Sequence, residues 1–201
     1  MGLENIMNAE SVAIVGASKS STKRGYQAIR TLLDEKFEGE IYPVNPKEKS
    51  ILGFKCYAKV SDIEGPVDIA LITTPAKTIP PILEDCGKKG IHGAVIIAGG
   101  FGEIGEEGRK LEEEMMQVAR KFKIRLIGPN TSGMMNLKSN LNLVGLRDSP
   151  RGDIALLTQS GNMALTLITE ARVKSRKGFS YYVGVGNEAD IKFNEYLEFF
   201  R

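Results

Sequence analysis

Five short apolar runs recur along the first two thirds of the chain: "SVAIVG" (11–16), "EIYPV" (40–44), "VDIALIT" (67–73), "GAVIIAG" (93–99) and "IRLIG" (124–128). They are apolar throughout instead of alternating, which predicts parallel strands covered on both faces. Helical periods lie between them. In 105–122, Leu111, Met115, Val118, Ala119 and Phe122 form one stripe, and Tyr26, Ile29, Leu32 and Leu33 do the same in 25–36. Pro80 and Pro81 suit the first turn of another helix, which Gly87 or Gly90 can end. Alternation of this kind predicts βαβ units with right-handed crossovers, hence an α/β, Rossmann-like, doubly wound parallel sheet. A loop over 131–152 then breaks the rhythm. After it come a strand at 153–159, a helix at 161–173, a strand at 179–186 and a helical stretch at 189–200. Two strands cover too little apolar surface for an independent open α/β domain. This part is expected to be the opening of a domain that continues past residue 201, or else to pack on the first domain or a partner; the former is adopted.

Composition narrows the function classes. The chain has 201 residues, 42% hydrophobic and 26% charged, suiting one full domain and part of another at a soft prior of about 150 residues per domain. A net charge of +2 gives no reason to expect nucleic acid or an anionic membrane as partner. No apolar run approaches the roughly 18 residues of a membrane span. The start "MGLENIMNAE" lacks the basic, then apolar, pattern of a signal peptide, and Gly2 lacks the Ser or Thr at position 6 that myristoylation favours. Cys56 and Cys86 are not spaced as a CxxC pair, and are expected to be buried, reduced thiols of a cytoplasmic protein. No residue is assigned as a metal ligand.

Ligands of open parallel sheets bind at the carboxyl ends of the strands. After the first strand, Gly16 allows a tight turn, and the loop carries Ser18, Lys19, Ser20 and Ser21 without G-x-G-x-x-G spacing. Its hydroxyls and N–H groups could hold a phosphate near a helix N-terminus; a solvated Ser/Lys loop is the competing reading. At the second strand end a dinucleotide-binding fold places an acid for the ribose hydroxyls, whereas this chain has "YPVNPKEK" with Lys47. A cation there suits a phosphorylated ribose: the 3′-phosphate of coenzyme A or the 2′-phosphate of NADP. Lys47 as a plain surface charge is the alternative. The third and fourth ends, with Pro75 and with Ala98, Gly99 and Gly100, let a ligand approach the backbone closely.

Taken in order, "SVAIVGAS", "YPVNPK", "VDIALITTPA", "CGKKGIHGAVIIAGGFGE", "RLIGPNTSG", "DIALLTQSGNMA" and "GFSYYVGVGNEAD" resemble the NDP-forming acyl-CoA synthetases of the succinyl-CoA synthetase α-subunit superfamily, most of all the ADP-forming acetyl-CoA synthetase branch. The resemblance runs from about residue 10 to the end. It implies a CoA-binding Rossmann-like domain over 1–146, followed over 147–201 by the start of an incomplete flavodoxin-like ligase domain. It also implies that Gly16, Ser18, Lys19, Ser20, Ser21, Lys47, Ala98, Gly99 and Gly100 contact CoA, to which the strand-end reading adds Pro75. Asn130 would shape the loop leaving the first domain. Ser160, Gly161 and Asn162 match a helix N-terminus that holds the phosphate of a phosphohistidine, a place where free N–H groups and the helix dipole favour an anion; Ser160 as an ordinary N-cap competes. Asn187 and Glu188 would line the same cleft, against the alternative of a plain turn.

One departure bears on catalysis. The family relays a phosphoryl group through a histidine deeper in the second domain, and the single histidine here, His92, precedes a first-domain strand and is read as structural. Residues 1–201 are therefore expected to bind CoA or acyl-CoA without completing the reaction. ATP, ADP and Mg2+ would belong to the full-length enzyme or a partner subunit. The remaining part of the synthetase is the implied protein partner, with no nucleic acid and no membrane. A non-catalytic CoA or acyl-CoA sensor of the kind fused to protein acetyltransferases is the second reading, and an NAD(P)-dependent oxidoreductase the third.

Overall fold

The structure is a computed structural model that describes residues 2–174 and 177–201. Its first unit runs α1 (Leu3–Met7), β1 (Ser11–Val15), α2 (Arg24–Asp34), β2 (Glu40–Val44), a small hairpin of β3 (Ser50–Ile51) and β4 (Phe54–Lys55), β5 (Ile69–Ile72), α3 (Ile79–Lys89), β6 (Gly93–Ile96), α4 (Glu106–Phe122) and β7 (Arg125–Ile127). The five apolar runs form one sheet in the order β2-β1-β5-β6-β7, every pair parallel. Strands β1, β5 and β6 are buried along their whole length, as apolar strands covered by helices on both faces must be. Helix α3 begins with its prolines in the first turn and stops at Gly90, which takes the left-handed cap at φ 86°. The stripe of α2 is turned slightly from its expected position: Ile29 and Leu32 are fully buried, while Leu33 stands 40% exposed.

The segment expected to be a loop holds two short strands, β8 (Met134–Asn136) and β9 (Leu141–Asn142). With β10 (Arg151–Thr158) and β11 (Phe179–Gly184) they form a second sheet, ordered β10-β11-β8-β9. Only β10 and β11 run parallel; the other pairs are antiparallel. Helices α5 (Gly161–Lys174) and α6 (Phe193–Phe199) complete the unit. Strands of two and three residues are too short to show a period, which is why the pattern hides them. The sheet therefore draws strands from both sides of residue 147. The second unit also packs on the first: one apolar cluster joins Met7, Ile14, Ile29 and Leu32 to Met134, Leu141, Val183, Ile191 and Tyr196. Asn136 adds a polar tie, its Nδ2 donating to the Met7 carbonyl at 2.9 Å. Among the described residues no helix is long and apolar enough to cross a membrane.

Candidate functional site

In a sheet of this order, the strand connections change direction between β1 and β5, and the crevice for a ligand opens at that switch point. A cleft of about 800 Å³ lies there, lined by Gly16, Lys47, Lys59, Val60, Thr74 and Pro75 among others. The chain turns into it at Gly16, at φ 86°, where a Cβ would stand 2.6 Å from Thr73 Oγ1. Helix α2 comes so close behind that a Cβ on Gly25 would lie 2.3 Å from the Gly16 carbonyl oxygen. The loop after β1 is held by Asn45, whose Nδ2 donates to the Ala17 carbonyl at 2.7 Å. The Oδ1 of the same side chain accepts from the Lys47 N–H at 2.9 Å. Asn45 thus ties two strand-end loops together and sets the backbone of Lys47. Sequence reasoning passed over it, although it stands inside "YPVNPK" and has the turn-forming amide that such a role needs.

The cationic side of this cleft has two members. Val44 bridges Tyr57 in parallel, and Asn45 N–H donates to the Tyr57 carbonyl at 2.9 Å, so the chain beyond Asn45 runs beside the chain beyond Tyr57. That brings Lys47 and Lys59 to the same wall, and among the described residues neither forms an ion pair with an acid. Lys88, also on the cleft, is bound to Glu84 at 3.4 Å. Lys19 is committed elsewhere, to Glu48 at 2.7 Å. Ser18, Ser20 and Ser21 do not line the cleft, and Ser18 Oγ accepts from the Ser20 N–H at 3.1 Å.

A second assembly forms where the loops after β6, β7 and β11 meet. Asn130 N–H donates to the Ala98 carbonyl, and Asn187 N–H to the Pro129 carbonyl, at 2.8 and 2.9 Å. Asn130 Nδ2 reaches Asn187 Oδ1 at 3.3 Å. The hub is a residue that sequence reasoning missed, Glu103. Its carboxylate accepts from the N–H of Gly100 at 2.5 Å, the N–H of Phe101 at 3.2 Å and Nδ2 of Asn187 at 2.6 Å. Burial works to raise the pKa of Glu103, but those hydrogen bonds outweigh it and hold the carboxyl below its usual range. Gly99, Gly100, Asn130 and Asn187 are thus gathered in one place. Glu188 is turned aside, its carboxylate accepting the Phe193 N–H at the start of α6 at 3.1 Å.

The third group surrounds the N-terminus of α5. Ser160 is its N-cap, with Oγ accepting the Met163 N–H at 3.3 Å. Gly161 and Asn162 line a neighbouring cavity of about 300 Å³ together with Arg24, Ile97, Ser132 and Tyr182. Arg24 opens α2, and its guanidinium donates to the carbonyls of Ser132 at 2.9 Å and Leu143 at 3.4 Å, and to that of Val144. No acid among the described residues pairs with it, and desolvation lowers its pKa, an effect partly opposed by the charge of Tyr182. The N-terminus of α5 adds the positive end of a helix dipole to that half-buried cation.

His92 lies at the opposite, amino-terminal end of the strands, beside Lys89 and Asp68 in a separate hollow, away from all three groups. Both cysteines are free. Cys86 is buried as expected, whereas Cys56 is only half-buried because it lies on the short segment after β4.

The family model described as a CoA binding domain matches residues 10–136, and that of a succinyl-CoA ligase like flavodoxin domain matches residues 151–201. The chain is 43% identical over 199 residues to the ADP-forming acetate–CoA ligase of Methanocaldococcus jannaschii, covering 98% of this chain and 28% of that protein. It is 43% identical over 206 residues to subunit alpha of ADP-forming acetate–CoA ligase I of Pyrococcus furiosus, covering 100% of this chain and 44% of the subunit. Among solved structures, acetyl-coenzyme A synthetase 1 of Ca. Korarchaeum cryptofilum, determined with phosphate and ADP, superposes with a TM-score of 0.93 at 38% identity. That match covers 98% of this chain and 42% of the other. The chain thus spans less than half the length of each of these three relatives.

Proposed function

The chain belongs to the CoA-binding domain family, and on that premise we propose that it is the CoA-binding part of an ADP-forming acid–CoA ligase of the acetate-activating kind. In that setting, acid, ATP and CoA interconvert with acyl-CoA, ADP and phosphate. The observation that carries the reading is the switch-point cleft with Lys47 and Lys59 on its wall, at the strand end where a nicotinamide-binding fold would place an acid. The 3′-phosphate of CoA would lie against these ammonium groups. The adenosine would occupy the cleft between Val60 and Pro75, and the pantetheine arm would run past Gly16 toward Ala98, Gly99 and Gly100.

The N-terminus of α5 supports the second half of the proposal. Gly161 and Asn162 carry first-turn N–H groups with no acceptor inside the helix, and fixed donors of this kind stabilise phosphoryl charge without reorganising. ATP, ADP and Mg2+ would be held by parts of the ligase other than residues 1–201, which match 28% of the M. jannaschii relative. The free thiols suit a reducing, cytoplasmic setting.

Calorimetry tests the assignment. CoA is expected to bind more tightly than dephospho-CoA or NADP, and Lys47→Ala to weaken CoA by about 1.5–3 kcal/mol, the worth of a hydrogen bond to a charged group. Dephospho-CoA should be unaffected by the substitution. Equal affinity for CoA and NADP, or an unchanged CoA affinity in the variant, overturns the assignment.

A further inference from the structure

Glu103 closes the run "CGKKGIHGAVIIAGGFGE", where it was given no role, yet its carboxylate is the hub on which the second assembly converges. Its carboxylate accepts from two successive backbone N–H groups of the first unit, on Gly100 and Phe101, and from the side-chain amide of Asn187 in the second. Glycine at 99 leaves room for it, because a Cβ there would stand 2.8 Å from Glu103 Oε1 and 3.0 Å from Asn130 Oδ1 and would push both polar tips aside. Asn130 completes the ring by donating to Asn187. We infer that Glu103 is a positioning residue: its carboxylate fixes the Gly99–Phe101 backbone and locks that loop to Asn187, so that the loop and the second-unit cleft keep one relative geometry. The importance of that geometry for a ligand rests on the CoA reading given above, because the thiol end of the carrier would lie along this loop.

The chemistry of the site specifies a carboxylate. Two converging N–H groups and an amide N–H all need an acceptor, and an ionised carboxylate offers lone pairs to all three at once. The other acids near the hub are engaged in holding backbone of their own. Glu112 of α4 accepts the Gly102 N–H at 3.3 Å, and Glu188 accepts the Phe193 N–H. Neither can replace Glu103 without releasing its own partner. Glutamine at 103 has the same size, but its NH2 would face one of the donors with a donor.

The test compares the unsubstituted chain with Glu103→Gln, Asn187→Ala and the double variant, by amide hydrogen exchange and by CoA calorimetry. In Glu103→Gln, the Gly100 and Phe101 amides are expected to exchange at least tenfold faster, with Val95 and Ile96 of β6 unchanged. CoA affinity should fall five- to tenfold, and the CoA to dephospho-CoA ratio should stay constant because the Lys47 end is untouched. Asn187→Ala should act in the same direction and add little to the double variant, the signature of one shared lock. Unchanged exchange at Gly100 and Phe101, or faster exchange throughout β6, overturns the inference. So does full CoA affinity in a variant whose loop has been freed. If the unsubstituted chain takes up no CoA, only the ligand reading fails, and the exchange arm still decides whether Glu103 holds the loop.

Discussion

Tyr196, the buried aromatic of α6, is fully enclosed, and among the described residues its hydroxyl has no hydrogen-bond partner. Desolvation, with the neighbouring charges of Glu195, Asp190 and Glu188, pushes its pKa well up, so the hydroxyl stays neutral. A buried hydroxyl without a partner costs about 1–3 kcal/mol. Tyr196→Phe, which keeps the ring and deletes the orphan oxygen, is therefore expected to stabilise the fold by about 1 kcal/mol, read as a higher urea midpoint at constant m value. A lower midpoint would show that the oxygen has a partner. Legibility at this scale divides by the type of bond a residue makes. Gly16 and Lys47 are readable because a strand-end position constrains the residue type there. Glu103 reads as one more acid before the acidic first turn of α4, and Arg24 as one more basic residue in a Lys-rich loop. The partners that give them their cross-unit role lie at Asn187, and at Ser132 and Leu143, far along the chain, and nothing in local periodicity points there.

Elements were legible in proportion to their length and the purity of their pattern. All five parallel strands follow from their apolar runs, and α3 and α4 from proline placement and stripe. Strands β8 and β9 could not be found, since two or three residues carry no period and asparagines interrupt them. The polar joint that seats α6 is equally silent in sequence. Arg125 on β7 donates Nε to Asp190 at 2.8 Å and a second nitrogen to Glu195 at 2.8 Å, and Asp190 also accepts the Leu126 N–H. Burial tends to raise the Glu195 pKa, but the hydrogen bond and charge of Arg125 and the Lys192 N–H prevail and lower it. The sign follows from linkage. A carboxyl whose folded pKa is depressed contributes stability above its unfolded pKa, and loses it as pH falls through the lower, folded value. These side chains are 21–34% exposed, so screening leaves about 1 kcal/mol for the joint. Arg125→Gln should cost that much at pH 7 and flatten the decline in stability below about pH 4.5, as urea unfolding across pH would show. An acid limb of the same depth in the variant would place the titrating group elsewhere.

At the scale of the molecule, the alternation of strands and helices predicts two successive α/β pieces, and the structure adds that the second is built onto the first. Three independent features cross between them. The apolar cluster runs from Met7 and Ile14 to Val183 and Tyr196. The second sheet is completed by β8 and β9, which lie against α1 and α2. Polar ties at Arg24, Glu103 and Arg125 each span the two units. A unit that shares one apolar cluster with the first and rests its sheet on α1 and α2 cannot lose that support without losing much of its packing, so the two are expected to unfold together. The chain has no tryptophan and six tyrosines, with Tyr26, Tyr42 and Tyr57 in the first unit and Tyr181, Tyr182 and Tyr196 in the second, so tyrosine fluorescence samples both. Its urea transition should coincide with that of far-UV circular dichroism. Helix α5 is the element set apart, because Met163, Leu165, Leu167 and Val173 stand 45–74% exposed and β10 beneath it is mostly uncovered. Few buried contacts mean low local stability, so α5 amides should exchange fastest of the longer helices while β1, β5 and β6 hold out until global unfolding. Two separated transitions, or α5 protected as strongly as β1, would mean that the second unit's own cluster around Met135, Ile168 and Tyr182 holds it without the first.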